Sequence, residues 1–145
     1  HEAGDALTSG SLNTFVGSAA GGANQSSSNN TAVGAFAFDA GTGADNVAIG
    51  SGALGGSTNS AADNVAIGMD AGNQISSGAN NVLIGSHAGD ALNTGQGNVA
   101  VGHNSLSTED GNSFNVAIGM KVQMVTIQRL ELMQVMILCQ DFIMY

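Results

Sequence analysis

His87 and His103 are the two side chains in this 145-residue chain best placed by type and spacing to hold a metal or move a proton. They stand six residues after Asn81 and five after Asn98, so each occupies nearly the same place in two successive copies of a repeat. A zinc site wants three or more protein ligands in suitable geometry. His1 lies about five repeats away and cannot join them within one chain. Asp39, Asp45, Asp63 and Asp70 are too dispersed in sequence to read as more than solvated loop carboxylates. Serine is abundant in the turns, yet no sequence pattern sets a histidine and an acid beside one of them, as acyl transfer would require. The expectation is therefore no catalytic residue, no metal and no cofactor.

The elements that would position these groups follow from one pentapeptide, N-x-[AFL]-[VI]-G, which begins at Asn13, Asn30, Asn46, Asn64, Asn81, Asn98 and Asn115. The intervals run from 16 to 18 residues. Self-similarity at so short a period marks a solenoid, in which each unit buries its apolar surface against its neighbours. Within the pentapeptide, Val16, Val33, Ile49, Ile67, Ile84, Val101 and Ile118 share one strand face with the residue after each Asn. Phe15, Ala32, Ala48, Ala66, Leu83, Ala100 and Ala117 lie on the other. This period-two alternation predicts a short β-strand in every unit. The β-branched column is expected to fill the coil interior, leaving the alanine stripe to meet another chain. Gly17, Gly34, Gly50, Gly68, Gly85, Gly102 and Gly119 close each strand, a fixed offset that calls for positive φ or for no room for a Cβ.

Two further columns carry expectations. Ala20, Ala37, Ala53, Ala71, Ala88 and Ser105 form a second, weaker inward site, followed by Gly21, Phe38, Leu54, Gly72, Gly89 and Leu106. The Asn column reads as scaffold: stacked at a corner, side-chain amides can bond to those above and below. The stretches between, 24–29, 41–45, 57–63, 74–80, 92–97 and 108–114, are turn chemistry of Asn, Ser, Thr and Gly.

Charge narrows the partners. Residues 1–120 contain no Lys or Arg, and Glu2, Asp5, Asp39, Asp45, Asp63, Asp70, Asp90, Glu109 and Asp110 make that region uniformly acidic. Nucleic acid is excluded as a partner, because phosphate backbones need cationic side chains to displace their counterions. Anionic membrane surfaces are disfavoured for the same reason. Cys139 is the single cysteine, so disulfides do not staple the repeats. The longest apolar run, 135–139, falls far short of the roughly 20 residues that span a bilayer, so direct membrane insertion is not expected.

The reading divides the chain into a partial repeat (1–12), the repeat region (13–119) and a tail (120–145). His1, Glu2, Ala3 and Gly4 match the piece that follows the pentapeptide elsewhere, so the chain is expected to open in mid-repeat. The tail holds no Gly, five of the six Met and the only Lys and Arg. A capping helix, a strand cap and an out-of-frame gene end all fit it. Read two nucleotides later, Met120-Lys121, Met124-Val125, Met133-Gln134 and Met136-Ile137 must encode Glu, Gly, Ala and Asp, which are repeat-type residues.

Residues 13–119 resemble the head repeats of trimeric autotransporter adhesins of the YadA-like kind, most closely at Asn46-Val47-Ala48-Ile49-Gly50 and Asn64-Val65-Ala66-Ile67-Gly68. Similar repeats occur in phage tail fibres. The resemblance implies an all-β, left-handed parallel β-roll of about 17-residue coils, packed as a homotrimer in an extracellular fibre that attaches to a host glycan or matrix protein. These units are longer than the family's usual ones, so longer outer loops are expected. A left-handed β-helix acyltransferase is a weaker alternative: one interval in six is 18 residues, and no aliphatic residue recurs every six. Calcium-binding nonapeptides and T-x-T ice-binding columns are absent from the sequence.

Overall fold

A computed structural model describes residues 2–56, 59–108 and 111–121. His1, the tail beyond residue 121 with Cys139, and the alternative readings of that tail lie outside the described residues. The repeat region is a parallel β-solenoid. Each coil supplies one three-residue strand: β1 (Thr14–Val16), β2 (Thr31–Val33), β3 (Val47–Ile49), β4 (Val65–Ile67), β5 (Val82–Ile84), β6 (Val99–Val101) and β7 (Val116–Ile118). They form a single sheet in chain order, every neighbouring pair parallel. The register is that of the repeat, with Val47 opposite Val65, Ala48 opposite Ala66 and Ile49 opposite Ile67.

The strand faces are the reverse of the expectation. Ala32, Ala48, Ala66, Leu83 and Ala100 are 0% exposed, whereas Val33, Ile49 and Ile84 are 36–38% exposed and Val16 and Ile118 more so. Thus Val16, Val33, Ile49, Ile67, Ile84, Val101 and Ile118 look outward, and the alanine stripe is core rather than interface. The reason is the thinness of the coil. Opposite each strand sits the second inward column, Ala20, Ala37, Ala53, Ala71, Ala88 and Ser105, also fully buried, and only small side chains fit between backbones that approach so closely.

Where a large residue does enter, glycines make the room. A Cβ on Gly72 would lie 2.8 Å from Leu83 Cδ1, and one on Gly89 2.7 Å from Leu83 Cδ2. Phe15 has the same relation to Gly4 and Gly21, at 2.8 and 2.7 Å. Conversely, the coils of Ala32, Ala48 and Ala100 carry their bulk six residues on, as Phe38, Leu54 and Leu106, each fully buried, while the Ala66 coil has Gly72 there and leaves the space to Leu83. Ile75 and Leu92 form a third buried column that the sequence reading missed, because the same offset holds Asn24 and Gly41 in earlier units and so shows no constant apolar identity.

The glycine that ends each strand has two independent reasons to be glycine. Its φ lies between +129° and +136°, a region essentially closed to other residues. A Cβ there would also meet the carbonyl of the next coil's glycine: 2.5 Å from Gly50 to Gly68 O, and 2.4 Å from Gly102 to Gly119 O. The remaining bends use single left-handed residues, many of them not glycine, including Phe36, Phe38, Leu54, Asp70, His87 and Asn104.

Leu83→Ala should cost about 2–5 kcal/mol in chemical denaturation, the usual range for emptying a buried leucine site. Gly89→Leu alone should be worse, and the double variant should recover stability relative to Gly89→Leu. Additive losses in the double variant would show that the two positions do not share one volume.

Candidate functional site

The Asn column is a continuous hydrogen-bonded ladder on the inside of the corner that precedes the strands. Asn30, Asn46, Asn64, Asn81 and Asn98 are at most 1% exposed, while Asn13 and Asn115, the end rungs, are half-buried. Asn64 shows the pattern in full. Its Nδ2 donates to Asn46 Oδ1 at 3.3 Å and to the Gly78 carbonyl at 3.0 Å. Its Oδ1 accepts from the Asn81 backbone N–H and from Asn81 Nδ2, both at 3.0 Å. Asn98 continues it, accepting the Asn115 N–H and Nδ2 at 3.0 Å. The loop carbonyl bound by each amide always lies three residues before the next Asn: Ser27 for Asn13, Gly43 for Asn30, Ala61 for Asn46, Gly95 for Asn81 and Asn112 for Asn98. Every donor and acceptor of an interior rung is used, which is the condition for burying an amide cheaply.

Polar chemistry gathers instead at the outer corner after β4, β5 and β6. His87 Nε2 lies 3.7 Å from Asp70 Oδ2 on the preceding coil, with both side chains about one-third exposed. Ser86 Oγ is 2.8 Å from His87 Nδ1, and the His87 and His103 rings make a T-shaped contact at 6.0 Å between centroids. The structure therefore brings Ser, His and Asp together where the sequence offered no such pattern. The signal missed was the stacking of equal offsets: Asp70 and His87 both stand six residues after their Asn.

The grouping falls short of a nucleophilic triad. A separation of 3.7 Å is too long for the orienting hydrogen bond, and Ser86 is the chain neighbour of His87 on a half-exposed outer corner. Among the described residues, no three His, Cys, Asp or Glu side chains close on one point as metal ligands.

Asp90 completes the corner. Its carboxyl is held above the usual carboxylate range, chiefly because burial strips water from the charged form; nearby Asp70 adds to this, and His87 and backbone N–H groups oppose it. Its Oδ1 is buried without a hydrogen-bond partner. Asn73 ties the same corner together, its Nδ2 donating to the Gly52 carbonyl at 3.0 Å and to Asp70 Oδ1 at 3.3 Å.

The outward face of the sheet is the third candidate. Two β-branched columns run its length, continued around the corner by Phe36 at 54% and Met69 at 51% exposure. Contiguous apolar strips of this kind are uncommon on monomers and mark contact surfaces. The predicted outer loops are mixed: Gln25, Thr42, Gln74 and Asn93 are exposed, whereas Asn24, Asn59, Ile75 and Leu92 turn inward. Among the described residues no helix is long and apolar enough to cross a membrane.

The fold and these surfaces define the class: a parallel β-solenoid with a buried amide ladder and one apolar flank. No protein-family model, curated protein or solved structure matches the chain.

Asn81→Asp replaces a donor by an acceptor in the ladder, takes the side-chain donor from Gly95 O, and sets a carboxylate oxygen against Asn64 Oδ1, which keeps only the Asn81 backbone N–H. It should cost at least about 2–3 kcal/mol near neutral pH, more than the same change at the half-buried end rung Asn13. Equal losses at the two positions in urea melts would refute the ladder's role. Asp90→Asn should act in the opposite direction. The raised carboxyl means that the charged form costs stability at neutral pH, a cost relieved as pH falls through the folded-state value. The variant should therefore melt above wild type at pH 7, and the difference should close toward about pH 4.

Proposed function

We propose that residues 13–119 form a structural, adhesive segment of an extracellular surface fibre, similar to the heads of trimeric autotransporter adhesins, in which three left-handed solenoids pack side by side. The observation that carries this reading is the outward Val/Ile face: it runs the length of the seven-stranded sheet, is apolar, and has no covering element among the described residues. A second copy of the same chain supplies a matching face. The acidic, base-free surface supports a ligand approached through hydrogen bonds, such as a host glycan or matrix protein, and argues against polyanions. A virion tail fibre uses the same geometry and differs in what it is attached to. The half-exposed Ser–His–Asp corner does not support an enzyme.

Assembly tests the reading. Ile49→Glu together with Ile84→Glu should abolish trimers in sedimentation of the full chain while far-UV circular dichroism stays that of wild type. Ala66→Glu should instead unfold the coils, because it places an unpaired charge in a fully buried site. A wild-type chain that sediments as a monomer, or a double variant that still trimerises, would overturn the proposal. Adhesion of loop-swapped chains to glycan and matrix-protein arrays should decline in steps as loops are replaced. Complete loss from one loop would point to a compact site.

A further inference from the structure

The two ends of the described stack carry complementary halves of one coil. Residues 2–12 lie on the first full coil as a loop half, the Gly4 N–H donating to the Ala20 carbonyl at 2.9 Å and the Thr8 N–H to that of Gln25 at 2.8 Å. Residues 115–119 are a strand half, β7 between its ladder Asn and its closing glycine. We propose that the β7 end of one chain docks the β1 end of a second copy of this chain, so that the two halves close a shared coil and the sheet runs on from chain to chain. This association is lengthwise and does not rest on the side-by-side packing proposed above.

Backbone pairing selects the occupant first. In the interior, the Gly89 N–H donates to the Ser105 carbonyl at 2.8 Å and the Phe114 N–H to that of Gln96 at 2.9 Å. The counterparts of these donors at the two ends, the Leu106 and Leu12 N–H groups, find no acceptor among the described residues. Continuing the pattern by one coil gives Leu106 the second copy's Ala3 carbonyl, and gives the second copy's Leu12 the Ser113 carbonyl. The ladder continues with it: Asn98 Oδ1 accepts the N–H and Nδ2 of Asn115, and Asn115 Oδ1 stands in the same relation to the second copy's Asn13.

Side chains agree. The residue before each ladder Asn is Asn29, Asp45, Asp63, Asn80 or Gly97 in the interior, but Leu12 at one end and Phe114 at the other. All share a left-handed φ of 60–66°, and Leu12 and Phe114 are 83% and 77% exposed. In the joined stack these two become neighbours in one column at a single strand spacing. Phe114 already lies over Gly97, where a Cβ would be 2.7 Å from its Cδ1, so its far side is the one left for Leu12. Charge agrees as well. Lys121, the one Lys or Arg among the described residues, and Glu2 hold the same offset at opposite ends, with φ of +53° and +57°. The Lys121 N–H donates to the His103 carbonyl at 2.7 Å, the place Glu2 takes in an uninterrupted stack, so docking exchanges one backbone donor for another and sets a cation beside a carboxylate at the seam. A head-to-tail contact of this kind does not close on itself, and an open strand edge is a template for the next strand.

The test is sedimentation velocity of the full chain over a wide concentration range, in the Ile49→Glu, Ile84→Glu background that disables the outward face. That chain should grow in single-protomer steps as concentration rises. Leu12→Asp or Phe114→Asp, each at an exposed site, should stop the growth while far-UV circular dichroism stays unchanged. A mixture of the two should give a dimer and nothing longer, since the Leu12→Asp chain keeps its β7 end and the Phe114→Asp chain its β1 end. A background chain that stays monomeric at every concentration, as it would if its own residues 122–145 covered β7, would overturn the proposal. Growth that survives both aspartates, or a mixture that yields no dimer, would overturn it as well. Because the background lacks the lateral face, failure here and failure of side-by-side packing are read in separate experiments.

Discussion

The buried carboxamide is the interaction on which the stack depends. A coil repeating at one strand spacing, about 4.8 Å, brings the same side chain of each unit into contact with its copies above and below. Most polar side chains cannot satisfy themselves in such a column, since a carboxylate would repel its neighbours and a hydroxyl offers one donor. Asn has two donors and two acceptor sites on a short arm, and the interior rungs use them all. One bond runs back to the previous amide, one forward to a loop carbonyl, and two arrive from the next rung. The loop carbonyl ties each turn to the corner of the following one, so the irregular part of each coil is held by the regular part.

A perfectly uniform stack would have a different problem. Seven interchangeable rungs could pair in the wrong order during folding, because each would fit any other. The interior volumes break that degeneracy. Leu83 needs glycines at 72 and 89, Phe15 needs them at 4 and 21, and Phe38 lies over Gly41, where a Cβ would sit 2.3 Å from its ring. Each large side chain is matched to gaps in its own and neighbouring coils, which gives individual rungs an address that the pentapeptide alone does not.

The period, the strand positions, the parallel register and the amide ladder were legible in the sequence because all are fixed by column identity. The facing of the strand was not. Alternation separates two faces but does not say which is inside, and the usual preference of Val and Ile for interiors misleads when the interior admits little beyond a methyl group, as at Ala48 and Ala66. The left-handed bends at Phe36, Leu54 and His87 were equally hidden, since glycine is the usual signal for positive φ and these coils impose it on other residues. The Asp70–His87 corner was visible only as two equal offsets, whose meaning depends on stacking. Asn24 and Asn59 show the same limit: both read as loop residues, and both are fully buried with one Nδ2 lacking a hydrogen-bond partner.

The inter-coil hydrogen bonds run roughly parallel to the long axis of the rod, and this gives the stack a mechanical character. Tension applied between its ends loads the coil boundaries in series, so the weakest opens first and the rest hold. An opened coil adds little to the rod while folded, about 4.8 Å, but as extended chain its 17 or so residues span roughly 60 Å. Each coil thus stores more than ten times its folded length. Because each coil packs chiefly on its neighbours, one can yield and re-form while the remainder of the stack stays folded, so the molecule can lengthen stepwise under load.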